Sequence, residues 1–230
     1  MSDSLSSTQA NILRFIPDII LNDFIKRGQS RILPPERFNC RAIMLVTNIL
    51  QFSHLTQTLL TKHHDGIEMI TEVHKAFVLL LQNYLGKTGG DILKYSTDKF
   101  IMYWPVSPTN VDEYISELSR VIVYQILSLQ EAIATKFHKQ GISLKVSFIL
   151  TLGDMNLYYL GGVQNNIEYI PSGNCFLQTL EHSEPESTDF ALVVSNALYE
   201  KLLEDFQFEP VRYNEIRTNM TTFFYVTGIN

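Results

Sequence analysis

Apolar patterning along the 230 residues predicts an α+β fold, a mixed and mostly antiparallel sheet with helices packed on it. Three observations carry this expectation. Ala42 to Thr47 (AIMLVT) is an unbroken apolar run, the pattern of a strand buried on both faces. Gly89 to Trp104 alternates apolar and polar residues on either side of a Ser-Thr-Asp turn and closes at Pro105, which reads as a β-hairpin. Two helical segments precede that hairpin, and one long amphipathic helix and a returning strand follow it. The order β-α-α-β-β-α-β does not alternate strand and helix one for one, as a doubly wound sheet would. It fits a split βαβ, ferredoxin-like sheet with helices on one face.

Each element has its own warrant. Residues 1–10 are small and polar and read as a disordered lead-in. Residues 11–41 read as an N-terminal arm and connecting loop: Asn11 to Phe24, apolar around Pro17, reads as a short helix or arm packed on the domain, and 27–41 is basic and proline-bearing. The main domain then spans 42–230. In its second helix Ile70, Val73, Phe77, Leu80 and Tyr84 recur at three- and four-residue steps, and Gly86 and Gly89-Gly90 stop it. Residues 110–139 form the longest helix, capped by Asn110, with Asp112 and Glu113 in its first turn. Its apolar stripe is Ile115, Leu118, Ile122, Ile126, Leu129 and Ile133. Leu144 to Leu152, Met155 to Leu160 and Ile167 to Ile170 read as strands separated by glycines. Gly173 to His182 reads as a helix, 183–189 as an acidic loop, and Phe190 to Val194 as a strand. A helix capped by Ser195 then runs to about Phe206. Phe208 to Tyr213 and Thr221 to Val226 form a closing antiparallel pair.

Composition excludes some functions. A net charge of −6 argues against nucleic acid or an anionic membrane surface as the main partner. No apolar run approaches the roughly 20 residues of a membrane span. The start of the chain lacks the basic-then-apolar order of a signal peptide. Cys40 and Cys175, far apart, read as reduced thiols of an intracellular protein. Asn219-Met220-Thr221 matches a glycosylation sequon by chance in such a chain. Walker, dinucleotide-binding and nucleophile-elbow motifs are absent.

Several residues could carry chemistry, and each has a plain structural alternative. Asn48 ends the buried strand and Asp98 sits at the hairpin turn; a split βαβ sheet brings those two ends together. Two carboxylates there would hold a pair of Mg²⁺ ions over a nucleotide triphosphate. Here one position is an amide, and a strand-ending Asn beside a turn-forming Asp accounts for both. Lys94 is either an anion contact or a snorkelling surface lysine. His54, His63, His64 and His74, with Asp65 and Glu68, lack the spacing to set three zinc ligands on one face, and read as solvated helix ends. Cys175 reads as a small buried hydrophobe.

Two of these stretches resemble a known family. Ala42-Ile-Met-Leu-Val-Thr-Asn48-Ile-Leu-Gln-Phe52-Ser resembles the opening of class III nucleotidyl cyclase domains, where a buried strand leads into Asp-Ile-x-Gly-Phe. Gly89-Gly-Asp-Ile-Leu-Lys94-Tyr-Ser-Thr-Asp98 resembles the family's second motif, Gly-Gly-Asp-Ile-Leu-Lys-Phe-x-Gly-Asp. Ile12-Leu-Arg-Phe-Ile-Pro-Asp18 looks like the arm before the first of two cyclase domains in the bicarbonate-responsive soluble branch, and Gly153 and Gly161 keep its spacing.

The resemblance implies head-to-tail pairing with another cyclase-homology domain, Mg²⁺ and ATP at the shared interface, and a cytoplasmic home, in a cilium or flagellum. It assigns Asp98 to the second metal-binding aspartate and Asn48 to the position of the first. Asn48, Ile49, Leu50, Gln51 and Phe52 would form the phosphate loop, with Gln51 in place of its glycine. Thr97 replaces the glycine before the hairpin aspartate, where a β-branched residue tolerates positive φ badly. Lys94 matches a lysine of the bicarbonate pocket. The pocket's arginine would fall near Leu180, and no arginine occurs between 146 and 211. Transition-state residues supplied by a partner domain would align with Leu177 and Glu181. These departures weaken both Mg²⁺ and ATP binding. They imply a degenerate cyclase-homology domain that keeps the fold and pairing surface without cyclisation. The alternative is a half-site that makes cAMP once paired with a competent domain.

Overall fold

The computed structural model describes residues 16–28, 32–106, 112–163, 166–181, 190–211 and 222–230. The lead-in, Asn110, the acidic loop 183–189 and the Asn219 sequon lie outside them.

Helix α1 (Asp18–Lys26) follows Pro17 and begins the described chain. Strand β1 (Glu36–Leu50) is fifteen residues long and leads into α2 (Phe52–Lys62) and α3 (Gly66–Tyr84). A 3-10 turn at Gly86–Thr88 then opens the hairpin of β2 (Asp91–Tyr95) and β3 (Lys99–Val106). Helix α4 (Asp112–His138) crosses back to β4 (Lys145–Gly161), which turns into β5 (Ile167–Ser172). Helix α5 (Asn174–Glu181), β6 (Phe190–Ser195), α6 (Asn196–Leu202), β7 (Phe206–Pro210) and β8 (Phe223–Ile229) complete it.

The strands form one sheet in the order β2-β3-β1-β4-β6-β8-β7, with β5 paired to β4 beside this path. Strand β1 is antiparallel to both β3 and β4, whereas β4 and β6 are parallel. The segment β2-β3-β1-β4 is the split βαβ arrangement that the sequence order implies.

Two expectations about strand limits are corrected. Residues 36–41, read from sequence as loop, extend β1, with Glu36 to Arg41 in register with Tyr159 to Asp154 of β4. Phe38 and Cys40 alternate with charged and amide residues there, so the segment has a period of two despite its basic character. Strand β4 likewise runs unbroken through Gly153. A Cβ there would stand 3.1 Å from the Cys175 backbone nitrogen, so this glycine seats α5 against the strand instead of ending it.

Helices cover both faces, not one. On the first face Ile43, Leu45, Phe100, Met102 and Trp104 pack with Val73, Phe77 and Leu81 of α3. Ile115, Ile122, Ile126, Leu129 and Ile133 of α4 join the same core, and Leu118 packs against it half-buried. On the second face Ala42, Met44, Tyr103, Met155, Leu157 and Tyr159 meet Ile19 of α1 and Cys175 of α5. The unbroken run AIMLVT follows from this: its odd and even residues each have a core to enter. At the end of the chain α6 stops at Leu202, before Phe206. Ser195 precedes it in extended backbone without capping it; the buried hydroxyl instead accepts the Leu152 N–H at 3.4 Å.

Candidate functional site

The C-terminal end of β1 and the hairpin turn meet in space. Asn48 lies in register with Lys99 on one side and Ser147 on the other, and the Ile49 N–H donates to the Asp98 carbonyl at 2.8 Å. Asp98 is held within its own turn. Its carboxylate accepts the Ser96 hydroxyl at 3.0 Å, while the Ser96 N–H donates to the Lys99 carbonyl at 2.7 Å. The turn closes without a left-handed residue at Thr97, since Gln51 alone among the described non-glycine residues has positive φ. Asn48 Oδ1 is buried and makes no hydrogen bond; Thr47 Oγ1 beside it is in the same condition.

The loop from Asn48 to Phe52 is a single sharp step from strand to helix. Gln51 takes φ 53° and ψ 31° as the residue before α2, with its side chain exposed and making no cap to the helix. Phe52 is buried and anchors the first turn. At the two positions that matter here Asp98 offers a carboxylate and Asn48 a neutral amide oxygen, while the Gln51 amide is exposed on the loop that follows Asn48.

Lys94 projects from β2 toward β5. Its ammonium is 3.8 Å from Glu168 Oε1 and 5.5 Å from the centre of the Tyr169 ring, whose hydroxyl donates to the Leu93 carbonyl at 2.8 Å. Lys94 is thus paired with an acid. The side chain of Leu180 lies outside the described residues, and Leu177 is exposed. His54, His63 and His64 are exposed on α2 and the turn after it; His74, by contrast, lies mid-way along α3 with its ring 5.6 Å from that of Phe100. Among the described residues no group of three or more His, Cys, Asp or Glu is placed to hold a metal ion. Cys175 is fully buried and desolvation pushes its thiol up to about 12; the same cause pushes Cys40 up to about 11.

No protein-family model and no curated protein matches the sequence. Solved structures do match. The adenylyl cyclase CyaB from P. aeruginosa superposes with a TM-score of 0.60 at 13% identity, over 84% of this chain and 96% of that one. The catalytic core of a rhodopsin-guanylyl cyclase with converted specificity, solved with ATPαS, gives 0.62 at 15%, over 84% and 98%. A non-canonical dimeric guanylyl cyclase domain from the fungus Blastocladiella emersonii gives 0.60 at 12%, over 85% and 99%. The fold is that of a class III cyclase domain.

Within this cyclase fold the hairpin motif has structural duties that sequence patterning missed. Gly89, with φ 83°, turns the chain out of the 3-10 segment. Gly90 lies against the Trp104 ring, where a Cβ would come within 2.5 Å. Asp91 caps α1: its Oδ2 accepts the Asp18 N–H at 2.6 Å and its Oδ1 the Ile92 N–H at 2.7 Å. Desolvation raises the pKa of Asp91 against those two stabilising hydrogen bonds. The aspartate was legible as part of a motif, but its partner 73 positions away was not.

Proposed function

We propose that this chain is a cyclase-fold domain that has lost cyclisation chemistry and acts by pairing with a second cyclase-fold domain or a larger signalling assembly. The observation that carries the reading is the donor set at the end of β1. Two Mg²⁺ ions over a triphosphate call for hard anionic oxygens. Asp98 offers one carboxylate and Asn48 a neutral oxygen already buried without a partner, a set that does not fit two such ions. Gln51 adds a second obstacle. A phosphate cradled by backbone N–H groups needs close approach, and an exposed glutamine side chain stands on that step.

In-line attack of a ribose hydroxyl on the α-phosphate would lack its charge-neutralising pair. Each tenfold loss of rate corresponds to about 1.4 kcal/mol of barrier. Lys94 is read as a surface lysine tied to Glu168, not as half of a bicarbonate pocket. Support for pairing comes from a neighbour that dimerises, in a non-canonical form, and from exposed apolar residues on the β4–β5 ribbon and α5, namely Leu160, Ile167, Ile170 and Leu177. We further propose, from the motif resemblance in β1 and the hairpin alone, a role in cyclic-nucleotide signalling in the cytoplasm, in a cilium or flagellum; no described helix is long and apolar enough to cross a membrane.

Sedimentation of the domain mixed with intact cyclase domains tests the pairing. The reading requires a defined heterodimer with at least one of them, and a domain that sediments alone at tens of micromolar would contradict it. Calorimetry with ATP and Mg²⁺ on the isolated domain should give no saturable heat.

A further inference from the structure

Helix α1 is fastened to the second face of the sheet by polar contacts toward its two ends, and Ile19 and Ile20 pack on that face's core. At its start the Asp18 N–H donates to Asp91 Oδ2 at 2.6 Å and the Ile19 N–H to the Tyr103 hydroxyl at 2.7 Å. The Tyr103 O–H in turn points at Asp91 Oδ2, 3.5 Å away. Toward its far end Asp23, 6% exposed, accepts Arg27 Nε at 2.9 Å and the Tyr159 hydroxyl at 3.0 Å, and Arg27 also pairs with Glu36. Beneath and beside the helix runs a cleft of about 680 Å³, whose floor and wall include Phe38, Asn39, Cys40, Pro105 and Val106.

The helix has little else to hold it. Of its nine residues only Ile19 and Asp23 are buried, and Phe24 and Ile25 face outward. A helix of this length is not stable alone in water. Its docking rests on a small apolar contact through Ile19 and Ile20 and on the polar contacts at its ends, of which the charged carboxylate of Asp91 accepting a helix N-terminal N–H is the strong kind. The sheet beneath does not depend on α1 in the same way: β1, β3 and β4 are paired along their lengths and carry the larger core on the opposite face.

We propose that α1 is a releasable strap with Asp91 as its latch, and that its release opens the cleft beside it while the sheet and α5 stay in place. Local opening of a weakly packed segment below the free energy of global unfolding is the general behaviour behind such a device. The strap is independent of whether the domain retains or lacks cyclase chemistry.

The two cysteines report on it separately. Cys40 lines the cleft, and Cys175 lies fully buried in the core of the same face. Alkylation by iodoacetamide, read peptide by peptide by mass spectrometry, is compared in the parent chain, Asp91→Ala and Tyr103→Phe. The strap predicts that each substitution raises the Cys40 rate by about tenfold, leaves Cys175 unchanged, and removes hydrogen-exchange protection from the amides of residues 18–21 but not from β1 or β4. Equal acceleration of both cysteines would mean that α1 leaves only on global unfolding and would overturn the proposal. So would an unchanged Cys40 rate in both variants. Tyr103→Phe, which removes a single hydroxyl, keeps the test decisive if Asp91→Ala does not fold.

Discussion

Gln51 holds a left-handed conformation that costs a residue with a Cβ about 1 kcal/mol relative to glycine. Gln51→Gly should therefore stabilise the domain by about that amount, raising Tm by about 2–4 °C in a chain of this size. Asn48→Asp should do the reverse. A carboxylate oxygen placed where Oδ1 is now buried without a partner, close to the Asp98 turn, loses about 1–3 kcal/mol. Added Mg²⁺ or Mn²⁺ should recover more of the Tm in this variant than in the parent; equal responses would show that the two positions cannot share an ion. Cys40 gives a pH test. Its thiol is pushed up to about 11 by burial, so its alkylation rate should climb through neutral and mildly alkaline pH and level off only near 11. A plateau near pH 8–9 would show that the thiol is not desolvated as its place in the cleft requires.

At the level of the hairpin, Gly90→Ala should cost about 1–3 kcal/mol, because the new methyl meets the Trp104 ring and that indole is fixed by its Nε1–H donating to Thr88 Oγ1 at 2.8 Å. Lys94→Ala should change stability by less than about 0.5 kcal/mol, since its pair with Glu168 is long and largely exposed. Chemical denaturation separates the two expectations. Elements with strong periodicity were legible in sequence: the α4 stripe, the α3 face and the alternation of β2 and β3. Strand limits were not. Residues 36–41 looked like loop because their exposed face is charged, and Gly153 looked like a break because a glycine that seats a helix reads the same as one that ends a strand. A short helix packed on the domain was legible at α1, but where it docks was not, for a different reason. Its latch joins Asp18 to Asp91 across 73 positions, and nothing local marks either residue as half of a pair.

For the whole molecule, the apolar run in β1 marked a strand buried on both faces, yet the strand order was read as a sheet with helices on one face, because the two outer helices that cover the second face gave weak signals of their own. The site was legible only in part. Asn48 and Asp98 come together as the strand order requires. That the Asn48 oxygen is buried and unpaired, and that Lys94 faces an acid instead of a second cation, are tertiary facts without a sequence signature. The fold is that of a cyclase domain, and the loss of cyclisation proposed above rests on the donor set at the end of β1. Cyclic AMP formation tests this most directly, measured with the purified domain mixed with intact cyclase domains in the presence of ATP and Mg²⁺ or Mn²⁺. The account predicts that any cAMP is unaffected when Asp98→Ala replaces the parent chain in the mixture. Metal-dependent cAMP that disappears with Asp98→Ala would contradict it and make this chain an active half-site.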